Sequence, residues 1–171
     1  MTMIRIALVG LALVACQEAP ARTTGPTPPP PTQGITAFVT VDNGDAPVGG
    51  TVRVRVEVQV GTDESVKLGS FTGRLHFDPA KLTFQSQNAI NDGLRVANAN
   101  GASQGEIRFA GAAPNGFATL VLYDGTFVVK SADYEQSLSL TMEELSSAVS
   151  LSNLRPQLSV SQHVFLSRVA N

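Results

Sequence analysis

Gly101, Ser103 and Gly105 have the spacing of a Gly-x-Ser-x-Gly turn. In hydrolases that turn lifts a serine nucleophile toward a histidine and an acid, and it needs a core strand before the serine and a helix after it. Here Asn98-Ala99-Asn100 precedes the motif and a strand-like run, Glu106–Ala110, follows. A loop of small residues accounts for the spacing without catalysis. The chain has two histidines, His76 and His163. A catalytic histidine needs an orienting acid and a nearby nucleophile. His76 shares its expected strand face with Thr72 and Arg74 and no carboxylate, so it reads as an exposed strand residue. Asp42-Asn43-Gly44-Asp45 is acidic enough to suggest a calcium loop. The twelfth position from Asp42, where such a loop places a bidentate glutamate, holds Arg53. A hairpin turn explains it better. These residues predict no enzyme and no bound cofactor or metal.

Cys16, the only cysteine, offers a different chemistry. Arg5 is followed by an apolar run from Ile6 to Ala15, which ends in Leu13-Val14-Ala15-Cys16. The order of charged, apolar and small residues is that of a secretory signal. The run is too short to cross a bilayer, which takes about 20 apolar residues. The tetrapeptide resembles the lipobox of bacterial lipoproteins. That resemblance implies a signal peptide over residues 1–15 and a lipidated Cys16 at the mature N-terminus. Several acyl chains, at about 0.8 kcal/mol per buried CH2, would anchor the protein durably. Gln17, standing where a retention signal would be Asp, implies the outer membrane or the cell surface. Residues 16–33 read as the lipidated N-terminus and a Pro/Thr-rich linker, because six of the ten prolines fall between Ala19 and Gln33. Such a segment lacks apolar side chains and acts as a semi-rigid spacer of about 3 Å per residue.

The remaining stretch, residues 34–171, is long enough for one domain. It has no cysteine and so must be held by an apolar core. The net charge of −2, with both signs scattered, gives no basic stripe for nucleic acid. From Ile35 onward the hydrophobic period is two. Between Thr51 and Val60 five valines alternate with Thr51, Arg53, Arg55, Glu57 and Gln59. That pattern predicts a strand with one face in the core and one in water. Further strands are expected at Ala37–Val41, Phe71–Phe77, Leu82–Phe84, Leu94–Ala97, Glu106–Ala110, Ser137–Met142 and Val164–Val169. Thr119–Lys130 allows either one strand or a hairpin pinched at Asp124-Gly125. Met142–Val149 is the only helix candidate. Gly, Asn and Pro turn signals between the strands predict a sandwich or barrel. With no Trp, and with Tyr123 and Tyr134 isolated, the chain lacks the aromatic platform of a sugar-stacking module.

Val48-Gly49-Gly50-Thr51 and the valine strand are followed by Leu68-Gly69-Ser70-Phe71-Thr72-Gly73-Arg74-Leu75-His76-Phe77-Asp78-Pro79-Ala80-Lys81-Leu82. Together with Gly105-Glu106-Ile107 and Phe127-Val128-Val129, this resembles the cohesin family. The resemblance implies an all-β, nine-stranded jelly-roll sandwich, similar to carbohydrate-binding modules, with a non-catalytic binding function. In that family a flat sheet face docks a dockerin, a small helical module that carries its own calcium and is often attached to polysaccharide-degrading enzymes. Here the implied partner face comprises Ser70, Thr72, Arg74 and His76, with Glu106 and Arg108 beside them. Gly73, on the opposite core-facing side, is expected to weaken packing. The expected protein is a monomeric, envelope-anchored module that recruits a dockerin-like partner, possible settings including polysaccharide degradation. The alternatives are a direct polysaccharide-binding module and a structural envelope lipoprotein with no dedicated partner.

Overall fold

The computed structural model describes residues 34–61 and 66–167. Cys16, the signal segment and the Pro/Thr-rich linker lie outside the described residues. Nine strands make up the described fold: β1 (Ile35–Asp42), β2 (Thr51–Val60), β3 (Leu68–His76), β4 (Leu82–Gln87), β5 (Leu94–Asn98), β6 (Glu106–Ala112), β7 (Val121–Val129), β8 (Ser139–Ser147) and β9 (Leu158–Ser167). They form two sheets, one of five strands in the order β4-β7-β2-β1-β9 and one of four in the order β5-β6-β3-β8. All pairings are antiparallel except β1 with β9, which is parallel. The architecture is the all-β sandwich expected, with nine strands.

The alternation of β2 does what its sequence demands. Val52, Val54, Val56 and Val58 are buried between the sheets, and Val60 packs against the same core from the strand's end. Each full burial is worth about 2 kcal/mol. From the facing sheet β3 turns Phe71 and Leu75 into the core, and β6 turns in Ile107 and Phe109. Phe77, just beyond β3, meets Phe127 of β7 edge-on at 5.2 Å.

Three local expectations change. Met142–Val149 is no helix, because Met142 and Leu145 belong to β8 and are buried as strand residues. A register shift opposite Thr72 and Gly73 lets β8 turn both inward without a helical period. Asp124-Gly125 does not pinch a hairpin, and β7 runs through it as one strand. Gly125 is needed there for space, since a Cβ would stand 2.2 Å from the Tyr123 hydroxyl. Gly73 does not loosen the core either. A Cβ on it would lie 2.5 Å from Phe109 Cζ, and Phe109 is its cross-strand partner. Gly111 makes the reciprocal room for Phe71, so two glycines and two rings interlock across the β3–β6 pair.

Candidate binding face

The outer face of the four-stranded sheet is built by the pleat of β3. With Phe71, Gly73 and Leu75 inward, Ser70, Thr72, Arg74 and His76 stand outward and half-exposed. The register lines their neighbours up in rows across β5, β6, β3 and β8. The first row reads Leu94, Ala112, Ser70, Ser146, and the second Val96, Ala110, Thr72, Glu144. The third reads Asn98, Arg108, Arg74, Thr141, and the fourth Glu106, His76, Ser139. All six face residues expected from sequence therefore share one surface.

The lower half of that surface is a charge network. Glu106 accepts from Arg108 Nε at 2.7 Å and from Arg74 Nη1 at 3.4 Å. Arg74 Nε donates to Glu143 at 2.6 Å. The Arg108 hydrogen bond is the main cause holding the Glu106 carboxyl below its usual range, and the bond to Glu143 raises the Arg74 guanidinium. His76 Nδ1 lies 3.9 Å from Glu106, close enough to pair when the ring is protonated, and its Nε2 is 3.4 Å from Thr141 Oγ1. Among the described residues Glu144 accepts only from hydroxyls, Ser70 Oγ at 3.0 Å and Ser146 Oγ at 3.5 Å. These groups are solvated, so the network adds little to stability. Its two arginines are balanced within the face, and Glu144 leaves the surface with an acidic spot.

The β5–β6 side of the upper two rows is apolar, and sequence reasoning did not find it. Leu94 and Val96 are 69% and 57% exposed. Beside them a depression of about 330 Å3 is lined by Ser70, Ala112, Pro114, Ser146, Ala148 and Leu151. Leu151 is 82% exposed and has a φ of 53°, a left-handed conformation that costs a non-glycine residue roughly 1 kcal/mol. In a run as short as Leu94–Asn98, which alternate is outward depends on pairing. Arg95 and Ala97 face the inward side of β6 and Leu94 and Val96 the outward side, a fact visible only once β5 is placed beside β6. Both described tyrosines are buried, so neither offers a sugar platform. Among the described residues no group of three or more His, Cys, Asp or Glu is arranged to hold a metal.

No protein-family model matches the chain, and no curated protein matches it. Solved structures do. A type I cohesin from Pseudobacteroides cellulosolvens is 18% identical with a TM-score of 0.55, covering 81% of this chain and 94% of its own. A non-cellulosomal cohesin from the archaeon Archaeoglobus fulgidus is 17% identical with a TM-score of 0.56, over 80% of this chain and 92% of its own. A cohesin of scaffoldin B from Acetivibrio cellulolyticus, solved in complex with a dockerin, is 16% identical with a TM-score of 0.58, over 80% and 99%. The valine strand, the Phe-Asp-Pro corner and these likenesses agree: this chain has the fold of the cohesin modules.

Proposed function

We propose that the protein is a non-catalytic binding module that recruits a dockerin-like protein through the outer face of its four-stranded sheet. The observation that carries this reading is that face itself. It combines a half whose two arginines are paired with Glu106 and Glu143 with uncovered Leu94, Val96 and Leu151, and exposed apolar side chains grouped on one surface mark a contact site. Dockerin complexes of proteins with this fold support the choice of partner. The Cys16 lipobox and the Pro-rich segment support an envelope-anchored position at the outer membrane or cell surface, with polysaccharide breakdown as a setting for the partner. Calcium, where it enters, belongs to that partner.

The test is calorimetric titration with a calcium-loaded dockerin module from the same genome. Arg74→Glu with His76→Glu should abolish binding and leave the melting temperature within a few degrees, because both side chains are half-exposed. Leu94→Asp with Val96→Asp should do the same. Undiminished binding by both double variants would remove this face from the proposal.

A further inference from the structure

Beneath the edge strand β5, between the two sheets, lies a cavity of about 180 Å3. Ile90, Phe109 and Leu122 give it apolar walls, and Gln87, Arg95 and Tyr123 line it with polar side chains. Two of those side chains are deeply buried: Arg95 is 5% exposed and Tyr123 is 1% exposed. A buried guanidinium needs acceptors for its N–H groups. Only Nη2 has any, and all are distant: Asp92 Oδ2 at 3.4 Å, Thr119 O at 3.3 Å and Thr119 Oγ1 at 3.4 Å. Asp92 makes its better contact elsewhere, accepting from Thr119 N at 2.7 Å. Arg95 Nε and Nη1 and the Tyr123 hydroxyl have no hydrogen-bond partner. The guanidinium carbon sits 4.3 Å from the centre of the Phe117 ring, which offsets some of the buried charge but accepts none of the in-plane N–H groups. Consistent with this, burial pulls the Arg95 guanidinium down and pushes the Tyr123 phenol up.

We propose that this cavity binds a small organic carboxylate, with its oxygens on Arg95 and Tyr123 and its apolar body against Ile90, Phe109 and Leu122. An ionised carboxylate only accepts hydrogen bonds, and the unpartnered atoms here are all able to donate. It also offers acceptors to Nε and Nη1, whereas the ion pair with Asp92, at 3.4 Å, reaches only Nη2. A sugar would bring donors of its own against apolar walls, and a cation would face Arg95. The size agrees, since a cavity of about 150 Å3 accommodates a benzene ring. Gln87 and Ala89 line the cavity and are exposed, so the space reaches the surface between the end of β4 and β5.

Benzoate titrated into the full chain tests this, with the Arg95 Nε–H resonance and the melting temperature as readouts. Benzoate should shift both saturably, and benzamide, which has the same shape without the charge, should bind at least roughly tenfold more weakly. Tyr123→Phe keeps the ring and removes one donor, so it should weaken benzoate several-fold. Arg95→Met should abolish binding. Equal responses to benzoate and benzamide, or no saturable response at tens of millimolar, would overturn the proposal. If Arg95→Met fails to fold, Tyr123→Phe decides alone, and undiminished benzoate affinity in that variant overturns it. Dockerin binding is measured separately and does not enter this result.

Discussion

On the outer side of β7, in the five-stranded sheet, Asp124 is 2% exposed and accepts from Arg53 Nε at 2.8 Å and Asn88 Nδ2 at 2.7 Å. Arg53 Nη2 donates to the same carboxylate. On the outer side of β6, in the four-stranded sheet, Glu106 accepts from two arginines just as Asp124 accepts from Arg53 and Asn88, yet its side chain is 26% exposed and open to water. The chemistry of the two clusters is nearly the same. Their consequences differ because one carboxylate is sealed beneath its partners. Asp124 ties β2 and the end of β4 to β7, and its own carboxylate is closed to water although Arg53 is half-exposed. Each partner of Glu106 can be exchanged for water or for a group on another protein. The first cluster fastens the sheet, whereas the second leaves its charges free to be re-paired.

Three measurements can break or sharpen that contrast. The largest effect is expected from Asp124→Ala, which removes the charge-assisted hydrogen bonds of Arg53 and Asn88 and leaves Thr126 as the side-chain partner of Asn88. It should cost about 2–4 kcal/mol and lower the thermal midpoint by roughly 5–15 °C. A midpoint unchanged by this substitution would erase the distinction between the faces.

An intermediate effect belongs to Asp92, a mostly buried acid on neither face. The Thr119 backbone N–H is the main cause holding its carboxyl below the ordinary value, followed after the opposing cost of burial by the Ala118 N–H, Arg95 and the Thr119 hydroxyl. A carboxyl depressed in the folded state stabilises above the unfolded value near pH 4, and that contribution is lost as the pH falls through the folded value. Asp92→Asn should therefore melt below the parent at neutral pH, with the gap closing below about pH 4. Melting curves from pH 7 to pH 2 check the sign, and a gap that widens in acid would refute it.

The smallest effect is expected from Glu106→Gln. It should leave the midpoint within a couple of degrees, while partner affinity changes with ionic strength, as it does for exposed charges. A large loss of stability from this substitution would mean that the open face is fastened after all.

Much of the fold could be read from residue order. The valines of β2 and the alternation of β3 fixed which side faces the core, and all six residues expected on the face are there. The reading stopped where a residue's role depends on a distant neighbour. Asp124-Gly125 has the composition of a hairpin turn, but the aspartate is claimed by Arg53, 71 positions away, and the glycine clears space for a phenol. Met142–Val149 has strand residues whose alternation is broken by a register shift that only β3 imposes. Leu94 and Val96 escaped notice because five residues show too few alternations to tell outward from inward. The buried guanidinium of Arg95 was equally invisible, since arginine is ordinarily a surface residue.

The parallel pairing of β1 with β9 has a mechanical consequence. Ile35 lies opposite Leu158 and Asp42 opposite Ser167, so the leading end of one terminal strand and the trailing end of the other lie at opposite tips of the same ladder. Traction applied at Ile35 and Ser167 drags the two strands past each other lengthwise. The rungs between them must then rupture together, whereas peeling would part them singly, and rupture of that kind demands the greater force.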